Sequence, residues 1–148
     1  MHHDHPSGTR DLGDAEFVDA FESLTLADDR FRHYDHLRLA WIFLRDGTDD
    51  EAVERATARI ATDIRRFAAH HGGAAKYHET MTRAYMHFVA AHVRSTPHIA
   101  SFDGFAAIHP DLFDKRLALQ FYGDALLQSD AARHGWVEPD LAPLPVVA

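Results

Sequence analysis

The sequence predicts an all-α protein, a compact helical bundle of about five to six helices, from three observations. Apolar residues recur at spacings of three and four from Phe17 to Phe121, which is the period of helices with one buried face. Residues that start or stop helices, such as Thr48, Gly72 and Pro97, separate the periodic segments. No segment has the strand–turn–strand pattern of a hairpin, so we expect helices packed on helices.

The first predicted helix begins at Asp14, and the stretch 27–30 interrupts the pattern after it. The segment 31–47 is apolar around nearly its whole circumference, with Arg38 and Arg45 as its polar stripe. A helix of this kind is typical of the centre of a bundle, where it has neighbours on several sides. We therefore predict that the segment 31–47 is the central helix.

The later helices are predicted from their end signals. Thr48 and Glu51 form a T-x-x-E capping box for a helix that Gly72 ends. The next helix is predicted from about Ala75 to Arg94. Short helices are then expected after Ser101, at Pro110, around Leu126 and Leu127, and after Ser129.

The 148 residues correspond to one domain. We predict a disordered polar segment over residues 1–13, a single helical domain over 14–137 and an extended, proline-containing tail over 138–148. Residues 1–16 lack the apolar stretch of a signal peptide, and no apolar run approaches the ~20 residues that cross a bilayer. We therefore expect a cytoplasmic protein without a membrane segment.

The composition restricts the chemistry that the chain can perform. Because there is no cysteine, a disulfide framework, a thiolate zinc site, an iron–sulfur cluster and a cysteine nucleophile are excluded. The formal net charge of −8 argues against a general nucleic-acid binder, which needs a basic face. The unusual feature is the 13 histidines, and neutral imidazole is the commonest metal ligand in proteins.

Three motifs place histidines where predicted helices begin or end: F-x-H-x-x-H with His33 and His36, the pair His70 and His71, and K-Y-H-E with His78. Short connections make successive helices antiparallel. The central helix and the K-Y-H-E helix should therefore run parallel, with both N-termini at the end where the intervening helix stops. We predict that these five histidines lie in one layer.

We predict that His33, His36 and His78 are ligands of one divalent metal ion. His33 and His36 share a side of their helix with the small Ala40, and His78 adds a third ligand from the facing helix. Three ligands with an open fourth position are typical of a catalytic metal. Iron, copper and zinc all accept such ligands, and the spacing does not choose among them. His92 follows His78 by fourteen residues, about 21 Å along a helix, which is too far to bind the same ion.

Other polar residues of this layer are secondary candidates. Tyr77 and Tyr85 are candidate catalytic groups, and Lys76, Glu79, His70 and His71 are possible additional members of the site. Each has a simpler interpretation, since tyrosines pack in cores, lysine and glutamate form surface ion pairs, and histidines cap helices or bond inside cores. Met1, His2 and His3 also form an amino-terminal chelate for copper or nickel, which we interpret as adventitious.

Four strings of the sequence resemble a family of short, helical, uncharacterised bacterial proteins over about residues 17–145. They are F-R-H-Y-D-H-L-R-L-A-W (31–41), R-R-F-A-A-H-H-G (65–72), K-Y-H-E-T (76–80) and S-D-A-A-R-H-G-W-V-E-P-D (129–140). The resemblance implies no particular activity. The chain is also loosely similar to DinB-like and hemerythrin-like metal bundles, but it lacks the H-x-x-x-H pair that DinB-like proteins carry on a late helix. None of their ligands is therefore carried over.

The histidine layer is compatible with three functional hypotheses. The first is a small, histidine-ligated, metal-dependent enzyme acting on a small-molecule substrate, with oxidative chemistry as one option. The second is a metal-free enzyme or binding protein in which Lys76 and two helix N-termini hold a carboxylate or phosphate. The third is a non-enzymatic, pH-responsive interaction protein. A homo-oligomer is compatible with each of them.

Overall fold

The computed structural model describes residues 7–145, and this part of the chain is an all-α bundle, as predicted. It contains seven α-helices and four short 3₁₀-helices and no strand. The short helices predicted after Ser101, around Leu126 and Leu127 and after Ser129 are present, and the one predicted at Pro110 is a 3₁₀-helix. Within the described range, no helix combines the length and the apolar character that crossing a lipid bilayer requires.

The α-helices are α1 Asp14–Glu22, α2 His33–Leu44, α3 Asp50–His70, α4 Glu79–Ser95, α5 Phe102–Ile108, α6 Asp124–Leu127 and α7 Asp130–His134. The 3₁₀-helices span Asp28–Arg30, Ala74–Lys76, Pro110–Phe113 and Ala118–Gln120.

Helix α2 lies at the centre of the bundle, as its apolar sequence predicts. It packs against both α3 and α4, which also pack against each other, and α5 covers a further side. Five of its apolar side chains are almost completely buried: Leu37, Leu39, Ala40, Trp41 and Leu44. Helix α1 packs on α3 and α7 packs on α4, so the three long helices form the frame for the rest.

The ends of α3 and α4 differ from the predicted ones. Asp49, and not Thr48, caps α3, because its carboxylate accepts a hydrogen bond of 2.9 Å from the Ala52 amide. Gly72 follows α3 with a φ of 74°, a left-handed conformation in which glycine is not strained. Helix α4 begins only after His78, since the residues before it form a 3₁₀ turn instead of the predicted first helical turn.

Residues 7–13 belong to the segment predicted to be disordered, but they are docked on α2. The buried Asp35 carboxylate accepts hydrogen bonds from the Ser7 hydroxyl at 3.0 Å, the Gly8 amide at 3.0 Å and the Thr9 hydroxyl. Arg38, also buried, donates to the Thr9 carbonyl at 3.0 Å. The polar residues of this segment thus supply hydrogen-bond donors to a buried carboxylate. Residues 1–6, and with them the predicted chelate at the chain's start, lie outside the described residues.

The chain after α7 contains no helix or strand as far as residue 145. Trp136, Val137 and Leu144 pack against the helical core. The Val137 carbonyl accepts a hydrogen bond of 2.9 Å from the buried Tyr122 hydroxyl, which fixes the tail to the bundle.

Candidate functional site

A cavity of about 470 Å³ opens where the N-terminal ends of α2 and α4 meet the second half of α3. Its volume is within the range of small-molecule sites. Its walls combine apolar and polar side chains, namely His33, His36, Leu37, Ile64, Lys76, Tyr77, His78, Met81, Thr82, Tyr85 and Lys115. The structure therefore brings together the three predicted metal ligands, both predicted catalytic tyrosines and Lys76, in one pocket.

His36 has an unsatisfied polar atom in this wall. It lies in the first turns of α2, and its Nε2 atom is buried and has no hydrogen-bond partner among the described residues. Burial lowers the pKa of the imidazole to about 4, and the nearby His33 lowers it further in the same direction. His36 is therefore neutral at pH 7, with an unpaired ring nitrogen on a pocket residue.

His33 is the first residue of α2, and its ring is held by a backbone carbonyl of the segment after α5. Its Nε2 lies 3.0 Å from the Leu112 carbonyl oxygen, so this nitrogen carries the proton and donates. The ring also meets Tyr85 edge to face, with 5.3 Å between ring centroids. Burial and then the charge of Lys115 keep the pKa of His33 below its ordinary value, against the Leu112 bond that raises it.

His78 lies before α4 and caps it, instead of lying on its apolar stripe as predicted. Its Nδ1 accepts a hydrogen bond of 3.1 Å from the Met81 amide, and its Nε2 donates to the Leu127 carbonyl at 2.7 Å. Both ring nitrogens are thus bonded to the backbone. His78 joins the start of α4 to the end of α6, and it can ligate a metal only by giving up one of these bonds.

The two predicted catalytic tyrosines have different partners. Tyr77 donates from its hydroxyl to Glu79 at 2.6 Å, and burial together with this carboxylate raises its pKa. Burial raises the pKa of Tyr85 to about 12, with a further contribution from Asp114. The Tyr85 hydroxyl has no hydrogen-bond partner among residues 7–145. Both phenols keep their protons at neutral pH, and only that of Tyr85 is available to a ligand.

The pocket contains both lysines of the chain, whereas the other thirteen basic residues are arginines. Lys76 and Lys115 are exposed, and neither forms an ion pair with any residue that the structure describes. The nearby carboxylates have other partners, since Glu79 accepts from Tyr77 and Asp114 pairs with Arg116 at 3.4 Å. Lys115 was not among the predicted site residues, although the scarcity of lysine in the sequence was a signal that could have indicated it.

The remaining candidates lie outside the pocket wall. His70 is exposed at the end of α3, and Glu79 pairs with Arg83 at 3.6 Å beside the pocket. His71 lines a smaller neighbouring cavity of about 220 Å³, and its Nε2 lies 3.1 Å from the Leu26 carbonyl oxygen. The five histidines therefore occupy one end of the bundle, but only three of them line the pocket.

The geometry gives the predicted three-histidine metal site no assembled ligand set. Within the described part of the chain, the group whose possible ligand atoms all lie within 4.8 Å of one another is formed by His92, His109 and Asp111. This group lies at the other end of α4. His92 lies outside the pocket, as its spacing from His78 predicts, whereas His109 and Asp111 are close to His92 only in the folded chain.

Comparisons of the chain with models of known protein families, with curated proteins and with solved structures gave no match. The resemblance to a family of short helical bacterial proteins therefore stays a prediction.

Proposed function

We propose that the chain binds a small organic anion, a carboxylate or a phosphate with an apolar body, in the pocket between α2 and α4. The observation that carries the proposal is that both lysines of the chain line this pocket without a carboxylate partner among the described residues. The formal net charge is −8, so the protein as a whole repels an anion, and these two ammonium groups attract one locally.

The apolar part of the ligand is expected to contact Leu37, Ile64 and Met81, which line the same cavity. Burying apolar surface supplies most of the affinity of such sites, and a few polar groups fix the orientation. The unpaired Nε2 of His36 and the free hydroxyl of Tyr85 are suited to that orienting role. With a pKa of about 4, His36 is a weak proton acceptor at pH 7, which favours binding over general-base catalysis.

The first experiment is a titration with octanoate, an apolar chain with one carboxylate, followed by nuclear magnetic resonance of the full chain. Octanoate is expected to shift the signals of Met81, Tyr85 and both lysines. The double variant Lys76→Gln/Lys115→Gln should bind octanoate at least tenfold more weakly, because both charges that face the carboxylate are removed. Octan-1-ol, which has the same apolar chain without charge, should bind both proteins equally.

The matched control is Arg116→Gln, which removes a neighbouring exposed positive charge that already pairs with Asp114. It should leave octanoate binding unchanged. Shifts confined to residues outside the pocket, or equal octanoate affinity in the wild type and the double lysine variant, would contradict the proposal.

A metal-dependent enzyme acting through His33, His36 and His78 is the alternative proposal. The unpaired His36 nitrogen supports it, whereas the two backbone bonds of His78 oppose it. Metal bound at this site should disappear in His36→Gln and remain in Asp111→Asn, which alters the other end of α4. Bound metal that is unaffected by His36→Gln excludes the pocket as its location.

A further inference from the structure

A second group of side chains with ligand chemistry lies at the far end of α4. His92 is in the last turn of α4, His109 follows α5, and Asp111 is in the 3₁₀-helix after it. The two imidazole rings meet edge to face with 4.6 Å between centroids, and His92 Nε2 lies 2.7 Å from a carboxylate oxygen of Asp111. The group shares no residue with the pocket lining, and His78 of the pocket lies fourteen residues before His92, about 21 Å along a helix.

The hydrogen bonds of His92 determine which of its nitrogens can bind a cation. Its Nδ1 lies 2.6 Å from the Phe88 carbonyl oxygen, which only accepts, so Nδ1 carries a proton. In the neutral ring, Nε2 then has a lone pair that faces an oxygen of Asp111, which is also an acceptor. These two atoms need a cation between them, which is either a second proton on the imidazole or a metal ion.

The hydrogen bonds of His109 orient its ring in the same way. Its Nε2 lies 2.7 Å from the Thr96 hydroxyl, which donates its own proton to the His92 carbonyl at 2.9 Å. Since a hydroxyl has one proton, His109 must donate from Nε2, and Nδ1 has the free lone pair. His109 is also buried, with 9% of its surface exposed. Histidines that ligate metals usually donate their other N–H to an oxygen, as both rings do here.

We propose that His92, His109 and Asp111 form a binding site for one divalent transition-metal ion of the Zn²⁺ class. Two nitrogens and one carboxylate oxygen without thiolate suit zinc, cobalt, nickel and copper. Ligand atoms of a tetrahedral ion with bonds of ~2.0 Å lie about 3.3 Å apart, so Asp111 moves back slightly from His92. Its side chain is 55% exposed and has room to do so.

Three protein ligands leave a fourth position for water or a small ligand on the exposed side. The bound ion would also link α4 to the segment after α5, because the ligands come from both. An ion that binds only the folded chain stabilises it by mass action. The site therefore predicts metal-dependent stability where the C-terminal end of α4 meets the segment after α5.

The test is a calorimetric titration of the full chain with Zn²⁺ at pH 7.5, in a background in which His2, His3 and His5 are replaced by alanine. These replacements remove the amino-terminal chelate without deleting the residues that dock on Asp35. We expect one Zn²⁺ per chain and a higher melting temperature with Zn²⁺ than without it. Asp111→Asn should weaken binding at least tenfold, and Thr96→Val, which removes the hydrogen bond to His109, by about tenfold.

His134→Gln is the matched control, since it removes an exposed histidine elsewhere, and its affinity should equal that of the background protein. Asp111 is exposed, so Asp111→Asn should fold even if a change at the buried His109 does not. Absence of Zn²⁺ binding, or affinity unchanged by Asp111→Asn, overturns the proposal. Loss of the ion in His36→Gln with retention in Asp111→Asn also overturns it, and it assigns the ion to the pocket.

Discussion

The two ends of α4 both present histidines beside acceptor groups, yet they are built for different tasks. At the N-terminal end, His78 bonds the backbone through both ring nitrogens and caps the helix. At the C-terminal end, His92 uses one nitrogen for a carbonyl and directs the other to Asp111. The pocket end leaves His36 Nε2 and the two lysines without partners among the described residues, whereas the other end holds His92, His109 and Asp111 close together.

The partner of the second ring nitrogen decides whether a histidine can bind a cation or a ligand. A ring bonded to the backbone at both nitrogens is structural, and a ring with one nitrogen anchored and the other free is preorganised for a cation or a ligand. Position on a helix does not distinguish these cases, because His78 and His92 both lie at helix ends.

The largest expected effect is that of Trp41→Ala, which should destabilise the whole bundle and therefore both ends of α4. Trp41 is buried in the central helix and contacts Phe102 and Phe105. Removing it should lower the free energy of unfolding by about 3–5 kcal/mol, measured by urea denaturation. Trp136→Ala, at the partly buried second tryptophan, is the control and should cost less. A loss below 1 kcal/mol for Trp41→Ala would show that α2 is not the core.

The next effect is the pH dependence of the free energy of unfolding that His36, in the pocket wall, should produce. Burial holds the pKa of His36 at about 4, below the 6.5 of the unfolded chain. Its contribution is therefore fully present above pH 6.5 and is lost as the pH falls toward 4. From pH 7 to pH 5, the wild type should lose about 2 kcal/mol of stability relative to His36→Gln.

The comparison with His36→Gln is needed because Asp63 acts in the opposite direction. Burial, and then the neighbouring Glu22, raise the pKa of Asp63 to about 7. Its contribution is present at low pH and is lost as the pH rises through 7, and it is common to both proteins. His134→Gln, at an exposed histidine, should show the pH profile of the wild type. Parallel profiles for the wild type and His36→Gln would mean that His36 is not buried in its neutral form.

A smaller effect distinguishes the capping role of His78 from a role as ligand. His78→Ala removes the cap of α4 and the bond to Leu127, and it should cost about 1–2 kcal/mol without added metal. His78→Asn, which can still cap, should recover about half of this loss. Zn²⁺ stoichiometry should be the same in both variants, since the proposed metal site lies at the other end of α4. Loss of metal in both variants would favour the three-histidine hypothesis instead.

The smallest effect is expected from the lysines. Lys76→Gln/Lys115→Gln should change the free energy of unfolding by less than about 0.5 kcal/mol, because both side chains are exposed and have no ion-pair partner among the described residues. Arg38→Gln is the informative contrast, since that buried side chain bonds the Thr9 and Leu12 carbonyls and should be costly to replace. A stability loss comparable to that of Arg38→Gln would assign the lysines a structural role.

The sequence was sufficient to predict the helical bundle and the position of His33, His36 and His78 at one end of it. Helical periodicity and short connections restrict the topology, and the topology alone brings the starts of α2 and α4 to one end. The sequence could not show that His78 caps α4, because the apolar pattern is equally compatible with a helix that begins one turn earlier. Helix propensity does not reveal that the Met81 amide donates a hydrogen bond to the His78 imidazole.

Other features depend on partners that are distant in the sequence. The segment 7–13 is polar and looks disordered until Asp35 is seen to be buried and in need of donors. His109 and Asp111 join His92 only because the segment after α5 returns to the end of α4. Such contacts have no periodicity, so no local pattern could have predicted them.

The segregation of the two lysines has a practical consequence for the chemistry of the isolated protein. Reagents that acylate or reductively methylate amines can modify only Lys76, Lys115 and a terminal α-amine, because arginine does not react. Both side-chain targets line the pocket. Amine coupling to a sensor surface or lysine methylation before crystallisation would therefore alter the proposed binding site, and mass spectrometry of the labelled lysines would report directly whether the pocket is occupied.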